Sequence, residues 1–317
     1  MRGRAADDYG APLFLAWQLT NRCTARCLAC CEESGPDKAW RDELTRDEAL
    51  DLARRIGEFG IGYVAFGGGE PLGVPYCWDI FDALNAAGVA LKLETDGSRI
   101  DDAAADRLAA LDMQCVQISV DGATAATHER MRPGSSFAVA CAAIERLVAR
   151  GHPPQFVFVP GRHNLHEIVA AYDLAVRLGC EAFVTGPMMR IGRAAAAWDA
   201  IACSDDEWRG AVARLREHAV ASGEPIALSI YPHDIVVDEL GAEPLRLSAH
   251  DVHQLRSEDR LGEAGIVLDL GRQGQLAAGL APRHDQRRQV GPSRVDGRGQ
   301  ARGARPDDDH VPQIAHG

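Results

Sequence analysis

Three cysteines fall at i, i+4 and i+7 on one short polar stretch, Thr20-Asn21-Arg22-Cys23-Thr24-Ala25-Arg26-Cys27-Leu28-Ala29-Cys30. Four thiolates suit a closed tetrahedral zinc site or a fully ligated iron–sulfur cluster. Three suit a cubane cluster whose fourth iron stays open to another ligand. A structural zinc loop is the alternative, and it needs a fourth ligand at finger-like spacing. His152, His163 and His166 lie far along the chain and read as surface polar residues. Cys31 offers a fourth thiol next door. Adjacent residues rarely both reach one compact cluster, so Cys31 reads as packing or as a neighbour of the ligands rather than a ligand.

A second segment, Gly67-Gly68-Gly69-Glu70-Pro71, reads as a backbone cradle, because glycines let a ligand approach main-chain polar groups. The two motifs, in this order, resemble the radical S-adenosylmethionine (SAM) superfamily, over roughly residues 13–235. The resemblance implies a [4Fe–4S] cluster held by Cys23, Cys27 and Cys30, with SAM on the open iron. It implies reductive cleavage of SAM and abstraction of a hydrogen atom from substrate, with a flavodoxin- or ferredoxin-type protein as electron donor. Gly68, Gly69 and Glu70 would hold the methionine end of SAM, Glu70 facing its ammonium. The residue before the last cysteine is usually aromatic or histidine in the family; here it is Ala29.

Later segments resemble the family's peptide- and cofactor-maturing branch. In Gln117-Ile118-Ser119-Val120-Asp121-Gly122, Ser119 would bond the ribose or carboxylate of SAM with Asp121 nearby. A strand serine and a turn aspartate are the plainer reading. His128-Glu129-Arg130-Met131-Arg132 matches a His-acidic-x-x-Arg pattern, in which Arg132 would pair with the SAM carboxylate. A solvated loop arginine is the alternative. Thr95-Asp96 stands where Thr-Asn is more usual, and Pro187 to Arg193 matches the branch's sixth-strand loop.

The elements that must position these residues repeat. Leu13 to Leu19 is a short apolar run of buried-strand type. Thr45 with Glu48 is a capping box opening a helix with Ala49, Leu52, Ala53, Ile56 and Phe59 at helical spacing. Further strands are expected at 62–66, 89–94, 115–120, 155–160 and 181–185, and helices at 78–87, 102–111, 136–150, 165–178 and 204–221. Strand–helix alternation at this pitch predicts an α/β fold of parallel strands with outer helices, a partial (β/α)6 barrel. The polar motifs all fall at strand ends, where the βα loops of such a barrel gather.

Composition sets the outer bounds. The 317 residues, 46% hydrophobic and 25% charged, suit one globular core with an appendage. No apolar run approaches a membrane span, and Met1-Arg2-Gly3-Arg4 lacks a signal-peptide core, so a cytoplasmic location is expected. Nine cysteines in such a chain point to metal or redox chemistry and to packed thiols (Cys77, Cys115, Cys141, Cys180, Cys203) rather than disulfides. A net charge of −12 argues against a nucleic-acid partner. Residues 1–12 read as a polar lead-in, 13–235 as the core barrel, and 236–270 as the remnant of a C-terminal module. Residues 271–317, with eight Arg against five Asp and no usable periodicity, read as a disordered or frame-shifted tail. No cysteine follows Cys203, so a cysteine-rich cluster domain of the kind usual in the maturing branch is not expected in these residues. The expected function is radical SAM chemistry on a peptide or small molecule in peptide or cofactor maturation. The alternatives are tetrapyrrole side-chain oxidation or decarboxylation, and a non-catalytic SAM-binding remnant.

Overall fold

The computed structural model describes residue 12, residues 14–231 and the backbone of three short strands further on. Seven parallel strands lie side by side in chain order: β1 (Leu15–Thr20), β2 (Tyr63–Gly68), β3 (Ala90–Thr95), β4 (Met113–Ser119), β5 (Gln155–Phe158), β6 (Ala182–Thr185) and β7 (Ala227–Ile230). Eight helices intervene: α1 (Arg46–Phe59), α2 (Cys77–Ala86), α3 (Asp102–Ala110), α4 (Ala125–Met131), α5 (Phe137–Val148), α6 (Ile168–Leu178), α7 (Gly192–Ile201) and α8 (Asp205–Ala221). Strands β8 (Ile266–Asp269), β9 (Gln275–Ala278) and β10 (Ser293–Arg294) extend the sheet beyond β1. The sequence reading of residues 1–11, and most of its reading of 236–317, lies outside the described residues.

The α/β partial barrel expected from alternation is present, and beyond the six strands expected the sheet gains β7 at one edge and β8, β9 and β10 at the other. β7 pairs in parallel with β6, Ala182 opposite Ala227. α4 and α7 are also additions to the reading. The capping boxes at Thr45/Glu48 and Ser204/Glu207 both form, and α1 stops at Gly60 in the left-handed region, φ 74°.

The two faces of the sheet differ. Leu15, Trp17, Val64, Phe66, Leu91, Leu93, Val116, Ile118, Phe156, Phe158 and Phe183 are buried in one core with apolar residues of the helices, among them Ile56, Phe81, Leu108, Ile144 and Leu215. Residues of opposite parity point to the inner face. Gln18 is in register with Gly67, Lys92 with Cys115, Glu94 with Gln117, and Gln117 with Gln155. Parallel sheets usually bury apolar residues on both faces. Here the inner face is mixed: Gln18, Lys92, Glu94, Gln117 and Gln155 share it with Ala16, Ala65, Val157 and Val184, and its polar positions mark it as the wall of a site.

Candidate functional site

The cysteine loop leaves β1 and is tied down on every side. The Cys23 amide donates to Gly35 O at 3.1 Å, Arg26 N to Pro133 O at 2.7 Å and Leu28 N to Met131 O at 2.8 Å. From the far side of the barrel comes Arg193, at the start of α7. Its amide donates to Cys30 O at 3.0 Å and its guanidinium to Cys27 O at 2.7 Å and to Ser34 O. A Cβ on Gly192 would lie 2.2 Å from Cys31 O, so only glycine allows this approach. Leu28 and Ala29 pack with Met188, Ala194, Ile201 and Trp198 in a small second core. The family-atypical Ala29 therefore faces an apolar shelf built by α7.

The three expected ligands sense one another: the charge of Cys27 bears on Cys23, and that of Cys30 on Cys27. Burial pushes the Cys23 thiol up to about 12 and also raises Cys27 and Cys31. The Ser34 amide donates to Cys30 Sγ at 3.3 Å. Cys31 lies 3.8 Å from its neighbour Glu32, sulfur to carboxylate oxygen. Among the described residues no three His, Cys, Asp or Glu donors converge on one point as a single metal ion requires.

The glycine turn after β2 packs directly on the loop. Gly69 N donates to Thr20 O at 2.7 Å and Glu70 N to Arg22 O at 2.9 Å. A Cβ on Gly69 would meet Arg22 O at 2.1 Å, and Gly68 adopts φ 99°. These glycines serve contact between two backbones of the site. Glu70 is 2% exposed and turns toward the end of β3. It accepts from Thr95 Oγ1 at 2.8 and 2.9 Å, from Leu72 N at 3.2 Å and from Asp96 N at 3.0 Å. Burial first, then the Asp96 carboxylate, raise its pKa to about 8. The Asp96 side chain also bonds Glu70, and the Thr95 hydroxyl contacts both carboxyl oxygens, so the carboxyl group is engaged on both oxygens within the protein.

At the end of β4, Asp121 is 1% exposed and ties three elements. Its carboxylate accepts from Arg132 Nη1 at 2.9 Å and from Val159 N at 2.8 Å, and its carbonyl from Asn164 Nδ2 at 3.1 Å. The Asp121 amide donates to His128 Nδ1 at 3.2 Å. That fixes the proton of a neutral His128 on Nε2, which lies 3.1 Å from Ser135 Oγ. Burial, then the Arg132 charge, lower the His128 pKa to about 4. Arg132 is therefore no solvated loop arginine. Its side chain is 13% exposed, with Cys27, Asp121 and Asp96 close enough to hold its charge. Its Nε is buried and has no hydrogen-bond partner among the described residues. A stranded donor of this kind costs about 1–3 kcal/mol unless a ligand takes it. Ser119 ends β4 on the inner face, in register with Val157.

The structure thus gathers Cys23, Cys27, Cys30, Gly68, Gly69, Glu70, Asp121 and Arg132 at one end of the barrel. Sequence reasoning missed three contributors: Arg193 as a clamp, Asn164 as the tie to the β5 loop, and the polar positions of the inner face. The alternation Leu91-Lys92-Leu93-Glu94 is a period-two signal that points to that face.

A parallel partial barrel with a triple-cysteine loop after its first strand and a glycine turn after its second defines a class. The radical SAM superfamily model matches residues 17–175, and the chain belongs to that superfamily. Its cofactors are a [4Fe–4S] cluster and S-adenosylmethionine, and the stranded Arg132 donor and the interacting thiols fit them. The mycofactocin maturase MftC of Mycobacterium ulcerans is 37% identical over 190 residues, which is 60% of this chain and 51% of the relative. The AdoMet-dependent heme synthase of Methanosarcina barkeri is 32% identical over 185 residues, 58% of this chain and 52% of the relative. The chain spans about half the length of the curated relatives it matches. Among solved structures, Streptococcus suis SuiB bound to S-adenosylmethionine shares the fold, with a TM-score of 0.64 at 13% identity over 81% of this chain and 59% of SuiB. No helix among the described residues is long and apolar enough to cross a membrane.

Proposed function

We propose that this chain is a radical SAM enzyme of peptide or cofactor maturation, with Cys23, Cys27 and Cys30 as cluster ligands. The observation that carries the reading is the meeting of three interacting thiols, a glycine turn and the stranded Arg132 donor at one barrel end. When bound, the cofactors supply one-electron cleavage of SAM and abstraction of a hydrogen atom from substrate. The chain's own residues bind and orient. Arg132, held by Asp121, offers its free Nε–H to the SAM carboxylate. Gly68 and Gly69 offer backbone, and Glu70 a carboxyl oxygen, to the SAM ammonium. Ser119 offers a hydroxyl to the ribose. Arg193 holds the cysteine loop shut against the far side of the barrel, which limits water at the reacting atoms.

The substrate side draws on the relatives' names: a mycofactocin maturase and a PqqA peptide cyclase speak for a peptide, and a heme synthase for a tetrapyrrole. A cytoplasmic site of action with a flavodoxin- or ferredoxin-type donor completes the reading. Anaerobic incubation of the reconstituted chain with SAM and dithionite tests it. Release of 5′-deoxyadenosine is expected, and a cluster-loaded chain that releases none is a non-catalytic remnant instead.

A further inference from the structure

The turn after β4 is built around the backbone of one residue, Asp121. The parallel ladder ends with Val120 N donating to Val157 O at 2.8 Å, and the next amide, Asp121 N, leaves it while still inside the protein. A buried amide without an acceptor is costly, so a side chain must meet it. His128 does, with Nδ1 at 3.2 Å. On the other side of the same residue, Asn164 Nδ2 donates to Asp121 O at 3.1 Å. Val159 N occupies carboxylate oxygen Oδ1 at 2.8 Å, and Oδ2 is left to Arg132 Nη1 at 2.9 Å.

His128 and Arg132 reach one residue because they stand four apart, on one face at the end of α4. Arg132 N donates to His128 O at 2.8 Å and Ser135 N to Arg132 O at 2.9 Å, and Ser135 Oγ meets His128 Nε2 at 3.1 Å. The helix comes this close only because Gly122 has no side chain: a Cβ there would stand 2.5 Å from His128 N. The His128 ring is fully buried, 5.8 Å from that of Phe137. Engaged at both nitrogens, it cannot turn, and it keeps Asp121 from tilting. What this bracket aims is Arg132 Nε, buried and without a partner among the described residues.

We infer that His128 is a positioning residue for SAM: it holds the Asp121 amide so that the Asp121 carboxylate points Arg132 Nε at the SAM carboxylate. This rests on the contact between Arg132 and SAM proposed above. It assigns to His128, which touches no ligand itself, a share in the preference for a ligand that carries a carboxylate.

The test uses the full chain, reconstituted anaerobically and kept without reductant so that SAM is not consumed. Equilibrium dialysis measures the affinity for SAM and for decarboxylated SAM, which keeps the adenosine, the sulfonium and the amine. The wild type should prefer SAM. His128→Phe, which keeps a ring against Phe137 and loses both nitrogens, should weaken SAM binding about tenfold, the scale of one charge-assisted hydrogen bond. Its affinity for decarboxylated SAM should stay nearly unchanged. His128→Asn, whose amide oxygen can stand where Nδ1 stands, should recover most of the loss. In an Arg132→Gln background, His128→Phe should have no further effect, because residues acting through one contact are not additive. Ser135→Ala, which only frees Nε2, should give a smaller loss of the same kind, and it decides the matter if His128→Phe fails to fold or to hold iron. Equal losses for the two ligands, an unchanged SAM affinity, or additive effects with Arg132→Gln would overturn the inference. A wild type without preference for SAM overturns the Arg132 contact, and the inference with it. A preference that survives in His128→Phe overturns the inference alone.

Discussion

Glu70 shows how a motif residue can serve the fold and the ligand at once. Its carboxylate satisfies Thr95 Oγ1, Leu72 N and Asp96 N, fastening the glycine turn to the end of β3. Glu70→Ala strands those buried donors at about 1–3 kcal/mol each before any ligand is considered. We expect it to lower the melting temperature of the ligand-free protein and to weaken SAM binding about tenfold or more. A titration with unchanged SAM affinity would remove Glu70 from the ligand's surroundings. His128 supplies a pH dependence. Its folded pKa of about 4 lies below the ordinary 6.5, so the unfolded chain binds the extra proton first. Stability is full above pH 6.5 and falls as pH drops toward 4, by on the order of 3 kcal/mol. Melting temperature measured across that window should fall more steeply for the wild type than for His128→Asn. Equal slopes would show that His128 does not carry it.

At the scale of elements, α7 is the piece the sequence concealed. Gly192-Arg193-Ala194-Ala195-Ala196-Ala197 carries no apolar stripe, so periodicity leaves it as a loop, although an alanine run has the highest intrinsic helix propensity. β7 was hidden for a related reason: Ala227–Ile230 is only four residues long and lies at the end of the strand order beside β6. Elements with caps or strong stripes, such as α1 and α8, were legible from their residues alone. So were the cysteine and glycine turns, because their types and order carry the chemistry. Contacts that cross the barrel were not, because nothing local to Arg193 records that it reaches Cys27 O and Ser34 O. Arg193→Ala should leave melting of the cluster-free protein nearly unchanged, since the main core lies elsewhere. It should markedly reduce the iron kept through gel filtration, and Arg193→Lys should restore part of it. Full iron retention in Arg193→Ala would contradict the clamp.

Over the described residues, the outer face of the sheet is covered by helices that supply the main core, and the inner face carries polar side chains among small and branched apolar ones. The chain holds nine cysteines, all of them described. Apart from Cys31, those outside the ligand loop stand on separate elements: Cys77 on α2, Cys115 on β4, Cys141 on α5, Cys180 before β6 and Cys203 before α8. The expected consequence is one cluster per chain. Iron per chain after anaerobic reconstitution, measured in the wild type, Cys30→Ala and Cys31→Ala, tests the central assignment most directly. The account predicts about four irons in the wild type and in Cys31→Ala, and loss of the cluster absorbance in Cys30→Ala. About eight or more irons in the wild type, or a cluster that survives Cys30→Ala and is lost in Cys31→Ala, would contradict it.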